Sequence, residues 1–263
     1  MIRPKKSLGQ NFLIDNNVIN KIINLSEIKN NDIVEIGPGT GNLTKKILEC
    51  KPNNLILIEK DQTLASNLKN DLEFYDNFKI FNKDILKFDL EKNIQKNSII
   101  IGNLPYNISS QILVKLIKFK KWLPKYKKLI LMFQKEVADK ILAKYNTSDY
   151  GRLTLLTTAR LKVTNHFNIS PTSFYPVPKV KSTVLVFEPI INKDFNIKDV
   201  RNLEIVSHVF FSRKRKMINK AFKKLFKKPL ETAKKINLKL NLRPSELTEI
   251  EYFKITKSFE DQL

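Results

Sequence analysis

The 263 residues carry 48 Lys and Arg against 26 Asp and Glu, a formal charge of +22 on a composition of 42% hydrophobic and 28% charged residues. That length holds one large domain and a smaller one, and so positive a charge implies a polyanionic partner, either nucleic acid or an anionic membrane. No apolar run approaches the roughly 18 residues of a membrane span and no lipidation signal is visible, so nucleic acid is favoured and no membrane is expected.

Cys50 is the only cysteine, and His166 and His208 are the only histidines. Disulfides, a thiolate metal site and a histidine-built metal site are therefore not expected, and a reducing, cytoplasmic setting fits. Only seven of the basic residues are Arg. Lysine acts on phosphates as a point charge while arginine reads base edges, so recognition by backbone and shape is expected.

Taken in order, the first segment (Arg3 to Leu13) reads on its own as a basic disordered arm. Asp15 then caps a helix bearing Val18, Ile19, Ile22 and Ile23 on its apolar side. Residues 32–37 form a short apolar strand entering Gly37-Pro38-Gly39-Thr40-Gly41, and a helix with Leu43, Ile47 and Leu48 follows. Strand, glycine turn and helix make the first half of a nucleotide-binding βαβ unit. The second strand, 54–59, ends in Glu59, about twenty residues past the glycines, where an acid can bind ribose hydroxyls. A helix around Leu64–Leu72 leads to a third strand, 78–84, ending in Asp84 ahead of Ile85. The glycine spacing departs from the dinucleotide pattern Gly-x-Gly-x-x-Gly, because the third glycine arrives one residue early. That suits a cofactor with ribose and adenine but no phosphate, for which S-adenosylmethionine is the candidate.

The fourth strand, Ser98 to Asn103, runs into Leu104-Pro105-Tyr106-Asn107. Pro105 has no N–H for the ladder and pushes Leu104 out of the helical region. The result is a stiff turn at the carboxyl edge of the sheet, where open α/β folds bind ligands. It presents the Asn103 amide and the Leu104 carbonyl as two fixed acceptors beside the Tyr106 ring, an arrangement suited to an aromatic amine. Taken alone, the stretch reads as a strand end and a Pro-Tyr turn, and the other strand ends tip the balance.

A helix over Ile108–Ile117, a fifth strand at Lys128–Phe133, and helices at Glu136–Lys144 and Tyr150–Thr158 come next. The last strands are expected at Lys162–Ile169 and Ser182–Phe187. Between them, three prolines stiffen the loop Pro171 to Val180, which carries Phe174 and Tyr175 in position to cover a base. Pro189–Lys198 reads as a linker, and from about Val200 the pattern is helical throughout. Val206, Val209, Phe210, Met217, Ala221 and Leu225 are spaced for one apolar stripe. Arg213, Lys214, Arg215, Lys216, Lys220, Lys223, Lys224, Lys227 and Lys228 accompany it without an acid, which points to polyphosphate contact.

These motifs, in this order, resemble the ribosomal RNA adenine dimethyltransferases over essentially the whole chain. The likeness rests on Leu8-Gly9-Gln10-Asn11-Phe12-Leu13, Glu35 to Gly41, Asn103 to Ser109, Phe174 to Val180, and Phe211 to Lys216 followed by Asn219. Leu8-Gly9 before Gln10 and the expected Arg213–Lys216 helix favour the housekeeping small-subunit branch over the large-subunit enzymes of macrolide resistance, which stay as the alternative. A ribosome assembly factor with methylation secondary is another.

The resemblance implies an α/β, Rossmann-like methyltransferase domain with a seven-stranded sheet (1–189) and a small, basic, all-helical C-terminal domain (190–263). It implies S-adenosylmethionine as cofactor, held by Asn11, Leu13, Gly37, Gly39, Glu59, Asp84, Ile85 and Asn103, with Glu59 on the ribose and Asp84 on the adenine amine. Asn103, Leu104, Pro105, Tyr106 and Phe174 would form the catalytic corner, with Tyr106 and Phe174 holding a flipped adenine by π contact. Arg213 to Lys216, Lys220, Lys223 and Lys224 would meet RNA. The implied reaction is N6-dimethylation of two adjacent adenosines in a 3′-terminal hairpin loop of small-subunit RNA, by a monomer acting on immature 30S subunits.

Overall fold

A computed structural model of the chain describes residues 4–5, 8–190 and 197–263. Arg3, Lys6 and Ser7 of the arm, and residues 191–196 of the expected linker, lie outside the described residues. The strands are β1 (Phe12–Leu13), β2 (Asp32–Ile36), β3 (Asn54–Glu59), β4 (Phe78–Asn82), β5 (Ser98–Asn103), β6 (Tyr126–Gln134), β7 (Leu161–Ile169), β8 (Phe174–Tyr175) and β9 (Ser182–Pro189). The helices are α1 (Asn16–Ile23), α2 (Asn42–Glu49), α3 (Gln62–Asp71), α4 (Leu90–Asn93), α5 (Ser109–Ile117), α6 (Lys135–Leu142), α7 (Arg152–Arg160), α8 (Val200–Phe211), α9 (Asn219–Leu225), α10 (Pro229–Lys235) and α11 (Glu249–Glu260).

The chain divides into two units. One takes Met1–Lys115, Phe119–Ala138 and Val163–Pro189; the other takes Leu116–Lys118, Asp139–Lys162 and Ile190–Leu263. The second unit thus includes Asp139–Lys162, a segment that the sequence reading placed before the boundary at 189.

In the first unit seven strands form one sheet in the order β4-β3-β2-β5-β6-β9-β7. The pairs β3–β4, β2–β3, β2–β5 and β5–β6 are parallel, while β6–β9 is antiparallel. A parallel sheet needs both faces covered, and the strands answer with apolar residues in both phases. Ile99 and Ile101, Ile130 and Met132, and Val184 and Val186 join Ile22 of α1 and Ile47 of α2 in one core. The alternate residues Ile100, Leu129, Leu131 and Leu185 are buried as well. Each such side chain contributes about 1.5–3 kcal/mol by leaving water.

Parallel pairing brings the carboxyl ends of β2, β3, β4 and β5 together. Ile36 pairs with Ile58 and with Gly102, and Glu59 pairs with Asn82. β4 stops at Asn82, two residues short of expectation. Asp84 instead turns the chain, its Oδ1 accepting the Leu86 N–H at 2.9 Å.

The arm is a strand rather than a loose tail. Phe12 pairs antiparallel with Tyr175, and Leu13 with Phe174. Ile14 N–H donates to the Ser173 carbonyl at 2.9 Å, and the Ser173 hydroxyl donates to Asp15 at 2.9 Å. Asp15 caps α1 through the N–H groups of Asn17 and Val18, as its position in the sequence indicates.

In the second unit, Leu203, Val206 and Phe210 of α8 are buried, and the Phe210 ring meets Tyr252 of α11 edge-on at 5.7 Å. The Glu260 carboxylate accepts the N–H groups of Lys198 and Asp199, both at 2.9 Å, at the start of α8. The expected stripe over 206–225 is not one helix. α8 ends at Phe211, and the Ser212 hydroxyl turns back to the Val209 carbonyl at 2.8 Å. Residues 212–218 connect α8 to α9, so Arg213, Lys214, Arg215 and Lys216 lie outside both helices. Met217 is 55% exposed, while Ile218, Phe222 and Phe226 supply the buried side. Among the described residues no helix is long and apolar enough to cross a membrane.

Candidate active site

The strand ends and the arm enclose a cleft of about 1050 Å³, its open mouth included. Asn11, Leu13, Gly37, Gly39, Glu59, Asp84, Ile85, Asn103, Leu104, Pro105 and Tyr106 all line it. Gly39 has φ +59°, and a Cβ there would stand 2.9 Å from the Phe12 ring. Only glycine lets the turn and the arm approach so closely.

The arm is tied to Asp61 and to two residues of the cleft wall, Asn42 and Asn103. Lys5 Nζ and Gln10 Nε2 reach Asp61 Oδ2 at 2.8 and 3.2 Å. Asn42 Nδ2 donates to the Leu13 carbonyl at 2.8 Å, and Asn103 Nδ2 donates to the Asn11 carbonyl at 2.8 Å. Burial alone would raise the Asp61 carboxyl, but Lys5, Gln10 and the N–H groups of Thr63 and Leu64 hold it below the usual range.

Two acids stand where the strands end. Burial raises the Glu59 carboxyl, against the N–H groups of Asp61 and Gly39 that donate to it at 2.8 and 3.1 Å. A carboxylate has about four lone-pair positions, so Glu59 keeps acceptor capacity for hydroxyl donors. The Lys60 ammonium, 2.9 Å away, holds Asp84 below the ordinary range, with burial opposing. A donor set built on acceptors at two strand ends, with Lys60 already paired, fits ribose hydroxyls and an amine rather than phosphates. These residues therefore fit S-adenosylmethionine. Among the described residues no group of three or more His, Cys, Asp or Glu could hold a metal.

Glu35 is a lining residue to which the sequence motif assigned no role of its own. It is an acid within the buried run Ile33–Ile36 of β2, which was the available signal. Burial pushes its carboxyl up to about 8, against the Thr44 hydroxyl donating at 2.7 Å and with a smaller push from Glu59. The folded chain thus keeps a proton that the unfolded chain releases near 4.5. That contribution to stability is complete below about 4.5 and is lost as pH rises toward 8. Glu35→Gln, neutral and of the same shape, is expected to melt higher than the parent at pH 8, the gap closing toward pH 4.5. Thermal unfolding across that range checks it.

At the end of β5, the bond from Asn103 Nδ2 to the arm fixes the orientation of the amide. Its Oδ1 accepts from no described residue and remains available. The Tyr106 hydroxyl lies 2.6 Å from Ser182 Oγ. Phe174 is a correction: it is 1% exposed, packs in the core with Leu13 and is absent from the cleft wall. Its register opposite Leu13 sends the ring inward, and the neighbouring Tyr175 is 48% exposed.

The basic residues lie in the second unit. Arg213, Lys214, Arg215 and Lys216 are exposed on the turn, and Lys220, Lys223 and Lys224 are exposed on α9. A cavity of about 1070 Å³, open mouth included, is lined by Arg213, Arg215, Lys216, Lys220 and Lys224. Arg243 lines it too, a residue that no local sequence signal connects to that run.

A mixed sheet with a glycine turn after β2, acids after β3 and β4, and an Asn-Leu-Pro-Tyr corner after β5 defines a Rossmann-like S-adenosylmethionine-dependent methyltransferase. The family model for ribosomal RNA adenine dimethylases matches residues 1–261, and the chain belongs to that family. It is 46% identical over 266 residues to Ribosomal RNA small subunit methyltransferase A of Pelagibacter ubique (strain HTCC1062), covering 99% of this chain and 98% of that protein. The protein of the same name from a Wolbachia of Drosophila simulans (strain wRi) is 36% identical, covering 96% and 92%. The crystal structure of a dimethyladenosine transferase from Plasmodium falciparum superposes with a TM-score of 0.79 at 28% identity, covering 95% and 98%. That of the 23S rRNA methyltransferase ErmE gives 0.68 at 21% identity, covering 95% and 100%, and shares the fold.

Proposed function

We propose that this chain dimethylates N6 of adenosines in small-subunit ribosomal RNA, acting as a cytoplasmic monomer on immature 30S subunits at two adjacent adenosines of a 3′-terminal hairpin loop. The observation that carries the chemistry is the Asn103 amide in the cleft wall, its nitrogen donating to the Asn11 carbonyl at 2.8 Å and its oxygen accepting from no described residue. Identity to two small-subunit relatives supports this substrate over large-subunit RNA.

S-adenosylmethionine, when bound, supplies a methyl group already activated on a sulfonium. Glu59 would hold its ribose hydroxyls, Asp84 and Ile85 its adenine, and Gly37, Gly39, Asn11 and Leu13 the remainder. An adenine amine is a poor nucleophile because its lone pair is delocalised into the ring. Asn103 Oδ1 and the Leu104 carbonyl, accepting its two hydrogens, favour the pyramidal amine and aim the lone pair along the line of displacement. The target base must leave its stack to reach this corner, and Tyr106 offers it a ring face. After transfer the nitrogen carries a positive charge and releases a proton to water, so no side-chain base is required.

Incubating the protein with radiolabelled methyl donor and undermethylated small subunits should place label in N6,N6-dimethyladenosine. Label confined to large-subunit RNA, or to another nucleoside, would overturn the assignment. Replacing one of Lys220, Lys223 or Lys224 is expected to lower the slope of log affinity for RNA against log salt by about one. Binding titrations at several salt concentrations measure it.

A further inference from the structure

Ser182 is buried at the start of β9, opposite Gln134 of β6. β6 in turn pairs Met132 with Asn103. The 2.6 Å contact between the Ser182 and Tyr106 hydroxyls therefore runs from the corner after β5 across the end of β6 to β9. Ser109 Oγ donates to the Tyr106 carbonyl at 3.2 Å, so the residue is held at its main chain and at the far tip of its ring. The phenol oxygen lies on the axis of the ring. A bond there permits the ring to turn about that axis but stops it swinging on χ1.

Resting on the reading of Tyr106 as the ring that receives the base, we propose that Ser182 is a positioning residue for methyl transfer, holding Tyr106 as a fixed platform for the extruded adenine. The Pro-rich loop then serves the base site through a hydroxyl just past its end, while its Phe174 serves the core. Burial raises the Tyr106 hydroxyl above its ordinary value, so it stays protonated and able to donate. A platform already in place loses no freedom when the base arrives, which is the advantage of preorganisation.

The test is a double-mutant cycle on the full chain with undermethylated small subunits. Ser182→Ala and Tyr106→Phe are each expected to lower kcat/KM for RNA about tenfold. The double variant should be no slower than either, because both remove one bond. Cofactor affinity by equilibrium dialysis should be unchanged in all three, which reports an intact fold. Additive losses, or a Ser182→Ala protein at parental rates beside an impaired Tyr106→Ala, overturn the proposal. A Tyr106→Ala protein at parental rates overturns both the proposal and the reading of Tyr106 beneath it.

Discussion

Asn103→Ala is expected to lower kcat by about 100- to 1000-fold, the loss seen when one preorganised polar group is removed from a reaction centre. Two effects combine. The amide oxygen that would accept an amine hydrogen disappears, and the Asn11 carbonyl loses the donor that it holds at 2.8 Å. Cofactor affinity should fall much less, because Glu59 at the end of β3 and Asp84 in the turn after β4 are untouched. Asn103→Asp should retain more activity than Ala, since an acceptor oxygen remains, though its charge faces the Asn11 carbonyl. Single-turnover methylation of undermethylated subunits separates these cases, and an unchanged kcat in Asn103→Ala would remove the amide from the chemistry.

Glu59→Ala should weaken cofactor binding by at least about 100-fold. Hydrogen bonds to a charged acceptor contribute about 1.5–3 kcal/mol each, and 1.4 kcal/mol is a factor of ten, so two lost ribose contacts suffice. The same substitution strips the acceptor from the N–H groups of Gly39 and Asp61, which the carboxylate binds at 3.1 and 2.8 Å. The glycine turn and the start of α3 would then lose their shared anchor. Glu59→Gln, with one acceptor oxygen, should fall between the two. Equilibrium dialysis with labelled cofactor decides, and parental affinity in the Ala variant would take Glu59 out of the site.

The sheet and the cleft were legible where local pattern and function coincide. β2, β3 and β5 are apolar runs that stop at a glycine turn, an acid and an Asn-Leu-Pro-Tyr corner, and parallel pairing places all three at one edge. β1 and β8 were not legible. Strands of two residues show no period, and they pair residues some 160 positions apart. Phe174 was misplaced for the same reason, since a shift of one residue exchanges the faces of a strand, and only the pairing with Leu13 says which ring turns inward. The break after α8 was not legible, because Ile218, Phe222 and Phe226 are spaced four apart in phase with Phe210, as a continuous helix would space them. Arg243 joins the basic cavity through the tertiary fold alone.

The oxygen that steadies the Asn103 amide belongs to the main chain of residue 11. Exchanging the side chain at that position leaves this oxygen where it is, so point mutation there speaks mainly to the methyl donor. Shortening the chain ahead of β1, or weighting it with a bulky fusion, can drag the oxygen away while every motif stays spelled correctly. Inactive preparations of an apparently intact enzyme are the practical outcome to watch for.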